Sequence, residues 1–291
     1  MTLAIGFLDP ILEPLYKLFG AVLAFFYSIA PNIGVAIFLL TITIMALLYP
    51  LTAKQAKSQV KLQLVQPEIK KIQQQYKDDK AKMNEEVMRF YSENKVNPFA
   101  ACLPLIAQAP VLLALFSTLR DVQKYVPTDS KLYQAFCGNL PQAECTGDNI
   151  KAVDWFFGIL DVRTSALPFD THSSFMAALP YFLMVGIVGV LGFIQGWQNM
   201  RTASGEINPA MKTMSRIFPI ISIVFSIYMP SGLVLYFMTS SAWRLGQSEI
   251  VFRKITRPAR EANERKNNKA IEAKSEIVQP AAPPRKRKRR K

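Results

Sequence analysis

The sequence predicts an all-α membrane protein with five transmembrane helices, an N-terminal interfacial amphipathic helix and a cytoplasmic helical hairpin. Three observations carry that expectation. Apolar residues make up 50% of the 291-residue chain and charged residues only 19%, against roughly 25% charged in soluble domains. The charge is segregated: residues 253–291 hold 15 bases and 4 acids, which is +11 of the formal +14. The remainder is nearly neutral and contains charge-free windows of the length a bilayer needs, about 20 apolar residues. The same inventory excludes several classes. One histidine (His172) and three cysteines supply no histidine-rich or all-cysteine metal site. No GxxxxGK[ST] or GxGxxG run is present, so a nucleotide-driven engine is not expected. No cofactor, no metal and no enzymatic chemistry are predicted.

The elements follow in chain order. Residues 1–30 carry Asp9, Pro10, Glu13, Pro14 and Lys17, which do not have the charged-then-apolar order of a signal peptide. Leu12, Leu15, Leu18, Phe19, Val22 and Phe26 recur at helical spacing, so this stretch reads as an amphipathic helix in the outer interface; an irregular start to the first span is the alternative. The first span is 31–53. Residues 54–95 are polar but periodic, through Val60, Leu64, Ile69, Ile72 and Tyr76, then Met83, Val87 and Phe90. They form two antiparallel arms broken at Lys77–Lys80. The second span, 96–119, is interrupted by Pro104 and Pro110. A loop at 120–172 leads to the third span, 173–200, and a short loop at 201–207. The last apolar window folds back at Pro230, Ser231 and Gly232, giving spans at 208–229 and 232–252. The tail, 253–291, ends in Arg285, Lys286, Arg287, Lys288, Arg289, Arg290 and Lys291 and is expected to be disordered.

Orientation follows from the bases. Residues 54–95 have ten bases and six acids, and 201–216 have three bases and one acid, whereas 120–170 have five bases and seven acids. The first and third connections and the C-terminus are therefore expected in the cytoplasm, with the N-terminus and the long second connection outside. Cys137 and Cys145 lie in that outer loop, where oxidation permits a disulfide; two free thiols are the alternative. Cys102, inside a span, reads as a small packing residue.

Polar side chains inside spans are costly and usually face a bundle interior or a wet cavity. Thr41, Met45, Leu48 and Thr52 share one face of the first span, Gln108 stands between two prolines of the second, and the last carries Ser240, Arg244 and Gln247 at i, i+4 and i+7. Together they could enclose a hydrophilic pocket for a polar chain segment. Each also has a plainer reading: a threonine bonded back to its own helix, a glutamine joining two helices, an arginine reaching to headgroups. The basic tail suits anionic lipids or ribosomal RNA.

The string QPEIKKIQQQYKDDKAKMNEEVMRFYSENKVNPFAACLPLIAQAPVLLALF resembles the signature region of the YidC-type membrane protein insertases of the Oxa superfamily. The matching residues are Gln66, Pro67, Glu68, Tyr76 and Asp79 in the hairpin, then Asn97, Pro98, Cys102, Leu103, Pro104, Gln108, Pro110 and Ala114. Pro230, Gly232, Leu233, Leu235, Tyr236 and Gln247 resemble the family's final span, and LDPILEPLYKLF its outer amphipathic helix. The resemblance covers residues 8–255 in order.

It implies an insertase and chaperone of the bacterial plasma membrane, without the large periplasmic domain or the extra N-terminal span of Gram-negative members, and hence a Gram-positive type of organism. Its clients would be nascent membrane proteins. Polar segments would enter an intramembrane groove lined by the first, second and last spans, and apolar helices would leave to lipid without nucleotide hydrolysis. Further partners would be the ribosome through the basic tail, anionic lipids and the general secretory channel, with Gln66, Pro67, Glu68, Tyr76 and Asp79 as hairpin contact residues. The family usually places an arginine in the first span where this chain has Met45. Counted from the outer starts of their spans, Met45 and Arg244 are both roughly 16 to 18 Å deep, so Arg244 is expected to supply the groove's positive charge. A secondary transporter or anion-binding channel is the competing reading; a transporter would show inverted repeats, and none is found between 31–119 and 171–252.

Overall fold

A computed structural model describes residues 9–96, 103–146, 149–153, 160–167, 175–202 and 209–258, with 261, 262, 265 and 268. Asn97, Pro98, Cys102, His172 and the basic cluster 285–291 lie outside the described residues. Ten α-helices follow in order: α1 Asp9–Ile29, α2 Ile33–Leu64, α3 Gln66–Gln75, α4 Lys80–Glu93, α5 Leu103–Arg120, α6 Val122–Tyr125, α7 Lys131–Cys137, α8 Phe175–Thr202, α9 Pro209–Ile227 and α10 Ser231–Val251. A π-helical turn, Phe252–Thr256, extends α10.

One helix runs on beyond its apolar span, Ile33–Gln55. The helix of the first span does not end at 53 but runs unbroken through Pro50 to Leu64. The stretch AKQAKSQVKLQL contains neither glycine nor proline, so nothing stops the helix until Pro67 restarts it near the N-terminus of α3. The hairpin is α3 against α4; its turn is closed by Asp79, whose carboxylate accepts from Lys82 N at 3.0 Å and caps α4.

Among the described residues, three helices are long and apolar enough to cross a membrane: Pro10–Ile29, Ile33–Gln55 and Phe175–Gln198. Two of these are expected spans; the first is the stretch read as interfacial. Glu13 and Lys17 pair at 3.1 Å one turn apart, so α1 carries charge yet remains apolar by composition. Within α9 the continuous apolar run is only Arg216–Ile227. Exposed Leu183, Ile187, Val190 and Phe193 on α8, with Ile217, Ile220, Ile221 and Val224 on α9, form apolar outer faces of the kind a lipid environment covers.

Two apolar clusters hold the bundle. One gathers Tyr16 and Leu23 of α1, Ile33 and Ile37 of α2, Leu115 of α5, Val122, Phe136 and Tyr236. The other joins Leu160 and Ala166 to Tyr181, Met184, Val185 and Val188 of α8 and to Val234 of α10. Helix α10 contributes to both and packs against α2, α5 and α8. At Gly20 a Cβ would lie 2.0 Å from the Tyr125 carbonyl oxygen. Only glycine lets α1 approach α6 so closely, and Thr118 Oγ1 donates to Tyr16 O at 3.2 Å beside it.

Candidate functional site: a polar seam between α2, α5 and α10

Two contacts fix α10 against α2. At one end a Cβ on Gly232 would meet Ile37 Cδ1 at 3.2 Å; at the other, Gln247 Nε2 donates to Thr52 Oγ1 at 2.6 Å. Both pairs differ by 195 in residue number, so the helices run parallel in constant register over 15 residues, about 22 Å. Met45 is therefore level with Ser240, and the backbone of Arg244 is level with Tyr49, about 6 Å further along the helix. Counting from helix starts had put Met45 and Arg244 at the same depth; the register separates their backbones by one turn. The side chain recovers the difference. Arg244 leans back toward the N-terminus of α10, as helical side chains do, and its Nη2 lies 3.4 Å from both Ser240 Oγ and Ser241 Oγ. The guanidinium is thus carried to the level of Met45.

The third wall joins through Gln108 of α5, whose Nε2 donates to the Tyr236 hydroxyl. Gln108, Thr52, Ser240, Arg244 and Gln247 therefore lie along one seam, with Tyr236 at its α5 side. Arg244 is half-buried, and no carboxylate lies within ion-pair distance of it among the described residues. Met45 is 5% exposed yet belongs to neither apolar cluster. Thr41 is fully buried and its hydroxyl donates to Ile37 O at 2.6 Å. That is the back-bonded arrangement of a threonine within its own helix, which Ser240 shares through Phe237 O at 3.1 Å. Thr52 donates to Tyr49 O at 3.0 Å while accepting from Gln247.

Several polar residues of the site were not singled out from the sequence. Tyr236 is named there as part of the final-span motif, not as a groove residue. On the far side of α10, Gln195 Nε2 donates to Ser241 O at 2.9 Å and Ser248 Oγ donates to Gln198 Oε1, which ties α10 to α8. Gln55, one turn past Thr52, is 5% exposed with neither amide atom bonded, and Trp243 Nε1 is likewise buried without a partner. An unmatched buried donor or acceptor costs about 1–3 kcal/mol. The hairpin residues Gln66, Pro67, Glu68, Tyr76 and Asp79 are remote from this seam, on α3 and the turn after it; Tyr76 lies 5.6 Å below the Lys82 ammonium. The described residues contain no group of three or more His, Cys, Asp or Glu able to hold a metal. In the 120–172 loop the structure pairs Cys137 with Cys145, Cα atoms 5.4 Å apart. Gly138, at φ +63°, turns the chain directly after the first of them.

The bundle and its polar seam define a helical membrane protein. Residues 25–258 match the family described as 60Kd inner membrane protein. The membrane protein insertase YidC of Fusobacterium nucleatum is 33% identical over 244 residues, covering 82% of this chain and 98% of that protein. Those of Zymomonas mobilis and Shewanella pealeana are each 29% identical, over 79% and 85% of this chain. The chain spans little more than a third of the length of these two, 36% and 37%. A crystal structure of an active YidC insertase with its first transmembrane domain resolved superposes at a TM-score of 0.51, with 24% identity over 82% of this chain and 45% of that one. The chain belongs to the 60Kd inner membrane protein family, of the YidC type, and is a multi-pass bacterial inner membrane protein.

Proposed function

We propose that this protein inserts nascent membrane proteins by receiving their hydrophilic segments in the seam between α2, α5 and α10. The observation that carries the reading is the set of side chains spanning all three helices: Gln108 to Tyr236, Gln247 to Thr52, and an arginine bonded to two serine hydroxyls. A polar segment leaving water needs hydrogen bonds along its path. Gln55, Trp243 Nε1 and the Arg244 guanidinium have bonding capacity to offer it. An acidic segment would gain most, because it would meet an unneutralised guanidinium where water is scarce. The apolar part of the client needs no groove. Its transfer to lipid is favourable at roughly 25 cal/mol per Å², so no nucleotide need be hydrolysed.

In this reading the N-terminus and the 120–172 loop lie outside, with the hairpin and tail in the cytoplasm. Helix α1 rests in the outer interface, with Tyr16 and Gly20 packed against Thr118 and Tyr125. The hairpin residues Gln66, Pro67, Glu68, Tyr76 and Asp79 meet the incoming chain or the secretory channel. The tail residues 285–291 hold the ribosome through ribosomal RNA, or anionic lipid. The test is site-specific photocrosslinking from positions 45, 52, 108, 240, 244 and 247 to a ribosome-stalled membrane protein, with lipid-facing positions 187 and 220 as controls. Crosslinks from the seam are expected. Their absence at every seam position would remove the reading.

A further inference from the structure

A second charged feature sits at the opposite end of α10 from the Thr52–Gln247 latch. A cavity of about 160 Å³ is lined by Phe116, Leu119 and Arg120 at the end of α5, Arg163 in the connecting segment, and Pro230 and Leu233 at the start of α10. At about 30 Å³ per water, that is room for roughly five waters. Its walls are apolar, and both its charges are positive.

No carboxylate lies within ion-pair distance of Arg120 or Arg163 among the described residues. The acid nearest in sequence to Arg163 is occupied elsewhere: Asp161 Oδ1 accepts from Arg163 N at 3.1 Å and Oδ2 accepts from Thr164 Oγ1 at 3.0 Å. The segment that carries Arg163 is also held firmly. Gly232 N donates to Val162 O at 3.0 Å, Ser231 N to Thr164 O at 2.8 Å, and Ser231 Oγ to Asp161 O at 2.6 Å. Two guanidiniums are therefore presented over an apolar floor at the end of a membrane-embedded bundle, where lipid headgroups lie.

We propose that this cleft binds the phosphate headgroup of an anionic phospholipid, with the first methylenes of the lipid against Phe116 and Leu233. Guanidinium forks match phosphate oxygens bidentately, and the apolar floor excludes a fully hydrated ion. Two guanidiniums facing one cleft favour a lipid of net negative charge over a zwitterionic one, whose own ammonium would be brought toward the arginines.

The test uses the full-length protein in detergent, titrated with phosphatidylglycerol, phosphatidylcholine or inorganic phosphate, and read by retained lipid in native mass spectrometry and by thermal stability. Wild type is expected to retain phosphatidylglycerol in preference to phosphatidylcholine. The double variant Arg120→Gln/Arg163→Gln should lose that preference by about tenfold, which is about 1.4 kcal/mol. Lys77→Gln/Lys80→Gln, exposed at the hairpin turn, serves as a charge-matched control with the tail intact and should behave as wild type. If the double variant fails to stay monodisperse, Arg120→Gln alone, at the exposed helix end, is read instead. Equal retention by variant and wild type would overturn the proposal. So would an equal stabilisation by inorganic phosphate, which would make the cleft a site for small anions.

Discussion

Replacing Arg244 by alanine separates a groove charge from a structural one. Among the described residues Arg244 has two serine contacts at 3.4 Å and no carboxylate partner, so its removal breaks no ion pair there. A half-buried charge without a counter-ion is a cost to the fold, and thermal stability of Arg244→Ala should be unchanged or slightly raised. Insertion should respond differently. If an acidic client segment meets the guanidinium through a charge-assisted hydrogen bond, about 1.5–3 kcal/mol is lost, or roughly ten- to a hundredfold in the rate-limiting step. The register places Met45 level with Ser240, where the guanidinium sits, so Met45→Arg in the Arg244→Ala background should restore much of the loss. The assay is protease protection of a client with an acidic outer segment in vesicles containing purified protein, beside a client with a neutral segment that should be spared. Full insertion of the acidic client by Arg244→Ala would refute the argument and leave the seam with hydroxyls and amides alone. A parallel fall in stability and in insertion of both clients would refute it too, because Arg244 would then be holding the fold.

Two further outcomes follow from sequence and structure together. Deleting residues 258–291 should leave a folded bundle, since neither apolar cluster contains a residue beyond 251, but should weaken ribosome co-sedimentation and flatten its salt dependence; unchanged binding at low and high salt would exclude the tail. Cys137 and Cys145 should resist a membrane-impermeant thiol reagent until a reductant is added, and immediate labelling of both would show that no bridge forms in the membrane.

Helical content was legible because apolar windows and three- to four-residue spacing are local properties, and the hairpin because Val60 to Tyr91 repeats at that spacing. The length of α2 was less legible. Its polar second half, 54–64, looks like a separate arm when hydropathy is the guide, yet the backbone has no reason to stop until Val65. Composition also could not separate an interfacial α1 from a spanning one. Mean hydropathy over Pro10–Ile29 is 1.3 against 2.3 for Ile33–Gln55, and both stretches are long enough to cross. Within the seam, Arg244, Gln247, Thr52 and Gln108 stood out as polar residues in apolar surroundings. Thr41 stood out for the same reason and is instead bonded to its own helix. Tyr236 stood out only through the final-span motif, without a role, and the α8 glutamines were hidden because a glutamine near a helix end has no periodic signature.

The two ends of α10 are held by different forces, and the difference bears on how a seam could open. Near Ser231 the helix is locked by three hydrogen bonds to the 161–164 segment, two of them between backbone groups. Buried Leu119, Val162 and Ile37 pack there around Gly232. Toward Val251 its partners are neutral side-chain pairs: Gln247 with Thr52 on one side, Ser248 with Gln198 on the other. Measured in membranes, such pairs average about 0.6 kcal/mol each, close to thermal energy. Breaking Gln247–Thr52 exposes an amide and a hydroxyl that a passing polar segment can satisfy in turn, so the exchange is nearly neutral. Breaking the Ser231 end would strand backbone groups and open an apolar cluster together. If the seam receives client segments as proposed, it would admit a polar chain from the Gln247 end more readily than from the Ser231 end. If α10 starts at the outer surface, as the distribution of bases predicts, that is the direction in which a nascent segment arrives.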